Sequence, residues 1–100
     1  MARRNQFSVN AESVQGNAGA EITFRSMKVR EMNEYRTTDL TDEGVLMDHV
    51  LAWTGIVDDS GVGLPNPKDE PGAIGELYLH EQQAIVRLLF RGPDGADAKN

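Results

Sequence analysis

The sequence predicts a mainly α fold: a small three-helix domain with a short N-terminal β-strand and a hairpin-like β-turn connection between helices 2 and 3. Three observations predict it. Apolar residues recur at helical spacing in three separate segments. Apolar and polar residues alternate strictly over Ala20–Arg25. Turn-forming residues crowd between Gly55 and Pro67.

Residues 1–19 are polar and rich in small side chains, and their isolated Phe7, Val9 and Val14 bury little. They read as a mobile arm with a short extended piece at Phe7–Val9. In the next stretch Ile22 and Phe24 point one way while Glu21, Thr23 and Arg25 point the other, as in a half-buried strand. From Ser26 the period changes. Val29, Met32 and Tyr35 mark a short first helix over about residues 28–37.

Thr41 is placed to cap the second helix, with Asp42 and Glu43 in its first turn, where the helix dipole favours negative charge. Val45, Leu46, His49, Val50 and Trp53 form its stripe, and Gly55 ends it. Ile56-Val57 and Val62–Leu64 then pair as a miniature hairpin around Asp59-Ser60-Gly61. Asp69-Glu70-Pro71 opens the third helix, and Gly92-Pro93 closes it. Its main face carries Ile74, Leu77, Tyr78, Ile85, Leu88 and Leu89; a second face carries Leu79, Val86 and Phe90. At roughly 20 residues it is about 30 Å long. Residues 20–93 make the helical domain, and 94–100 a flexible polar tail.

One hundred residues without cysteine suit one small domain with no disulfide framework and no thiolate chemistry. The net charge of -6 is uneven: residues 1–38 carry +2 and residues 39–100 carry -8. An acidic body repels phosphate backbones, so no nucleic-acid partner is expected. No apolar run is long enough to span a bilayer, so no membrane partner is expected either.

Enzymatic signals are weak. There is no phosphate loop with a following lysine, no Gly-x-Ser-x-Gly and no His-Glu-x-x-His. His49 lies within an apolar face, where a lone histidine is usually a satisfied core residue, and His80 has no second ligand one turn away. A calcium loop starting at Asp58 would place Ser60 and Val62 at its third and fifth positions and Asp69 at its twelfth, a poor match. No catalytic residue, metal site or cofactor is expected. The positive signal is a surplus of apolar helix surface, with Leu79, Val86 and Phe90 as candidate binding residues for a helical client or a sister subunit.

The segment from Trp53 to Pro65 resembles a motif of small tail assembly chaperones of long-tailed bacteriophages. There a tryptophan, a glycine two residues on, valines, acids, a further glycine and a Leu-Pro pair recur between helices. The matching positions here are Trp53, Gly55, Val57, Asp58, Asp59, Gly61, Leu64 and Pro65. Phe24–Glu31 is similar to the extended lead into the first helix of those proteins. The resemblance covers about residues 20–92, with Gly63 inserted and Asn66-Pro67 in place of an aromatic and a capping hydroxyl.

The resemblance implies a non-enzymatic role in the host cytoplasm. Such proteins coat the aggregation-prone tape measure protein before tail tube subunits polymerise around it, and they are usually absent from finished particles. Some exist in two lengths through ribosomal frameshifting near the end of the shorter form. The alternative is a structural virion protein, such as a head–tail connector or tail-completion component.

Overall fold

The computed structural model describes residues 5–97; residues 1–4 and 98–100, the extremes of the expected arm and tail, lie outside the described residues. The chain forms an α+β domain around a three-stranded antiparallel sheet, which overturns the mainly α, three-helix expectation. Strands β1 (Gln6–Asn10), β2 (Glu21–Arg25) and β3 (Val50–Thr54) lie in that spatial order, with β2 central.

The reason is β2. A lone half-buried strand leaves both rows of backbone hydrogen-bonding groups open, and these need partners. One row is met by β1, where Phe7 faces Phe24 and Val9 faces Ile22. The expected mobile arm is therefore part of the sheet from Gln6 onward, and Phe7 and Val9 are buried. A four-residue helix, α1 (Glu12–Gln15), makes the return and ends on Gly16 in the left-handed region.

The other row is met by β3. Helix α2 (Val29–Thr38) is followed by α3 (Asp42–His49), whose cap is as expected: the Thr41 hydroxyl accepts from the Gly44 N–H at 3.2 Å. The second helix does not continue to Trp53. It stops at His49, and Val50–Thr54 extends along β2, with Trp53 opposite Ile22 and Ala52 opposite Thr23. The register slips by one residue between Thr23 and Phe24, so Phe24 pairs with Val50 and Leu51 is the extra residue of a bulge.

The third helix is also shorter than expected. Pro71–Glu76 forms a 3₁₀ helix, and α4 (Leu79–Asp97) starts only after Leu77 and Tyr78. The Glu81 carboxylate accepts from the Tyr78 N–H at 2.8 Å and so occupies one of the free amide groups at the start of α4. At Gly92 (φ 67°, ψ -161°) the helical path breaks, directly before Pro93.

Helix α4 covers one face of the sheet. Ile85 and Leu89 join Phe7, Val9, Ile22, Phe24, Leu46 and Trp53 in one continuous core. The opposite sheet face carries Gln6, Ser8, Glu21 and Thr54, all exposed.

Candidate functional site

The Trp53-to-Pro65 segment folds back on the end of β3. The buried Trp53 indole N–H reaches the carbonyls of Pro65 at 2.9 Å and Leu64 at 3.2 Å, and the Trp53 amide donates to Asn66 Oδ1 at 3.0 Å. This covers the outer edge of β3. Asp58 Oδ1 accepts from the amides of Ser60 and Val62, Gly61 takes the left-handed turn position, and Val57 bridges to Gly63. Asp59 is exposed at the tip. Asp58 is thereby committed to its own backbone turn.

From the other side, the Gln15 side chain accepts from the Val57 N–H at 3.0 Å and donates to its carbonyl at 2.8 Å, in the manner of a strand neighbour. Trp53, Gly55, Asp58, Gly61, Leu64 and Pro65 thus close the sheet edge and shape the return toward α4.

The exposed apolar surface lies elsewhere, between α2 and α4. None of the ten residues of α2 is fully buried, and of its apolar side chains Tyr35 packs against the core. Two hollows of about 270 and 330 Å³ flank the gap. Met32 of α2 and Phe90 of α4 line both. Met27, Val29 and Leu89 add apolar lining to the first; Leu40, Val45 and Val86 add it to the second, beside Tyr35, Arg36, Asp39 and Asp42. Phe90 is 56% exposed and Val29 72% exposed, large values for apolar residues at a concave surface.

Of the three residues singled out from sequence, Val86 and Phe90 meet in this groove. Val86 is half-buried and packs against the core. Leu79 is 68% exposed at the start of α4, on the same stripe but outside both hollows. Met32, Val29 and Leu40 are the partners that sequence reasoning missed. Met32 and Val29 recur at helical spacing in the sequence, which marks the helix but not what its apolar side chains face.

Beneath α2 lies a polar cluster. His49, fully buried, donates from Nδ1 to the Arg25 carbonyl at 2.8 Å; a carbonyl only accepts, so Nδ1 carries the hydrogen. His49 Nε2 faces the Tyr35 hydroxyl at 2.8 Å and Arg25 Nη2 at 3.5 Å. Tyr35 Oη also lies 3.3 Å from Asp48 Oδ2.

Burial, and then the negative charges of Asp48 and Glu31, push the Tyr35 hydroxyl above its ordinary range, so it stays protonated and serves as a donor. The Glu31 carboxylate accepts from the Lys28 N–H at 3.0 Å and pairs with Arg25 at 3.0 Å. The Lys28 hydrogen bond is the largest influence; burial opposes it, and the hydrogen bond and charge of Arg25 add to it, so the carboxyl is held below the usual range.

Both ring nitrogens of His49 are engaged within this cluster. Among the described residues no group of three His, Asp or Glu side chains is placed to hold a metal ion, and no helix is long and apolar enough to cross a membrane. No protein-family model, curated protein or solved structure matches the chain.

Proposed function

We propose that this chain is a binding domain whose α2–α4 groove holds an apolar helical segment of a phage tape measure protein during tail assembly. The observation that carries the reading is Phe90, 56% exposed between two partly apolar hollows that it lines together with Met32. An amphipathic helix presents side chains at i, i+3, i+4 and i+7, which suits successive hollows along a groove. The resemblance of Trp53–Pro65 to tail assembly chaperones supports the choice of client, with tail tube subunits as the second partner and the host cytoplasm as the setting. In this reading the C-terminal end is where a frameshifted extension is appended.

The test is co-expression with the tape measure protein encoded by the same phage. The wild-type chain is expected to keep that protein soluble. Phe90→Glu and Val29→Glu, each at an exposed position, are expected to lose that ability while the domain stays folded. Retained solubilisation by both variants would remove the groove from consideration. Stoichiometric presence of the chain in purified particles would favour a structural virion component instead.

A further inference from the structure

Helix α2 is tied to the body through a small set of polar contacts that converge on one place. Glu31 and Tyr35 are one helical turn apart and so share a face of α2. Glu31 lands on the Arg25 guanidinium, and Tyr35 lands on His49 Nε2. Arg25 and His49 are themselves joined, since the Arg25 carbonyl receives the His49 Nδ1 hydrogen at 2.8 Å. The Tyr35 and His49 rings meet edge to face, with centroids 5.7 Å apart.

At its two ends the helix is released by extended residues, Lys28 before it and Thr41 beyond it. Asp39, at its C-terminal cap, is the only non-glycine residue with positive φ among the described residues. The groove lined by Phe90 and Met32 lies along this helix.

We propose that α2 is a hinged flap forming one wall of the groove, latched by Glu31 on Arg25 and Tyr35 on His49, and that release of this latch widens the groove between Met32 and Phe90 to admit its client. The link to a client rests on the binding role proposed above; the hinged motion itself does not. The polar latch is directional and separable. When α2 moves away, Tyr35 and Glu31 pass into water, where both are solvated. Arg25, freed of Glu31, stands 3.5 Å from His49 Nε2 and is the donor that replaces the Tyr35 hydroxyl. The buried imidazole therefore keeps a partner on each nitrogen in both positions, which removes the main penalty that opening a buried polar contact carries.

Amide hydrogen exchange on the full chain, read residue by residue by NMR, tests the motion. The hydrogen-bonded amides of α2 are expected to exchange together, well ahead of those of Ile85–Leu89 and of β2. Tyr35→Phe keeps the ring and removes the hydroxyl. It is expected to speed α2 exchange roughly tenfold, with the α4 and β2 amides unchanged within about twofold. Wild-type α2 amides exchanging at the rate of the core, or unaltered by Tyr35→Phe, would overturn the flap.

The dye 1-anilinonaphthalene-8-sulfonate reports the groove itself. Its fluorescence with Tyr35→Phe is expected to exceed that with wild type, and Phe90→Glu in the same chain is expected to cancel the gain. Faster α2 exchange without added dye binding would mean that α2 moves without widening the groove, and gating would be wrong. Failure of Phe90→Glu in the tape measure assay, with the exchange result intact, would instead reject the client and leave the flap standing.

Discussion

Gly55 is pressed against Ala20: a Cβ on Gly55 would stand 2.8 Å from the Ala20 Cα and 3.1 Å from its Cβ. Gly55 also has φ +74°, a conformation that side chains disfavour. The contact seats the end of β3 on the turn that precedes β2, where Asn17 Nδ2 donates to the Gly55 carbonyl. Gly61 has φ +83° but nothing within 4 Å. The two positions therefore separate strain from collision. Gly61→Ala should cost about 1 kcal/mol, from conformation alone. Gly55→Ala should cost roughly 2–4 kcal/mol, since Ala20 presents backbone that cannot step aside. Denaturant unfolding of the two variants checks this, and equal losses would show that the Ala20 contact yields freely.

Trp53→Ala should destabilise by roughly 3–5 kcal/mol, from the cavity it leaves in the core. The indole N–H contacts with Leu64 and Pro65 are lost in the same change, so the 56–66 return should loosen as well. A thermal melt reads the first effect, and faster exchange of the Val62 and Leu64 amides reads the second. Trp53→Phe keeps most of the packing and loses the hydrogen bond; it should fall between wild type and Ala.

Asp39 holds φ 59° at the C-terminal cap of α2, with its N–H on the Tyr35 carbonyl. Glycine adopts this conformation without steric cost, and helices often end on it. Asp39→Gly should stabilise the domain by about 0.5–1 kcal/mol in a chemical melt. A loss of stability would show that the Asp39 side chain makes a contribution larger than its backbone strain.

Much of this fold was legible wherever a segment's pattern suited only one structure. Ile22 and Phe24 alternate among polar residues, and the segment is a strand. Thr41 precedes two acids and caps a helix. The failures came from neighbours in space. Val50 and Trp53 continue the spacing of Val45, Leu46 and His49, so Val50–Thr54 reads as more helix. The same five residues, three of them β-branched or aromatic (Val50, Trp53 and Thr54), serve equally as a strand once β2 offers a free edge. Phe7 and Val9 bury little alone, and their burial depends on pairing with Phe24 and Ile22. The surplus apolar surface was legible in Val86 and Phe90. Its other wall was not, because Met32 and Val29 carry the spacing of a core-facing stripe yet sit on a helix with no buried residue.

The depressed Glu31 carboxyl makes stability depend on acidity. Its hydrogen bond from the Lys28 N–H, and then Arg25, favour the charged form in the folded chain. The unfolded chain holds the proton more tightly, at the ordinary value of 4.5. The contribution is therefore complete above that value and is lost as pH falls from there through the lower, folded pKa. Glu31→Gln should be less stable than wild type at pH 7, and the gap should narrow as pH drops below about 4.5. Denaturant midpoints at pH 7, 5 and 3.5 check the sign; a gap that does not change with pH would show that Glu31 has no special tie to Lys28 and Arg25.

Val86 and Phe90 share a helix stripe, yet their substitution should separate stability from binding. Val86 is half-buried and packs against the core, so Val86→Glu forces a carboxylate toward apolar neighbours. That should cost roughly 2–4 kcal/mol. Phe90 is mostly exposed, and surface changes away from special features stay within about 0.5 kcal/mol. Phe90→Glu should therefore melt within a few degrees of wild type while removing the side chain that both hollows share. A large drop in melting temperature for Phe90→Glu would mean that the groove is closed in solution, with Phe90 packed against Met32 and unavailable to a client. Matched melting curves with a lost client would make Phe90 a contact residue rather than a stabilising one.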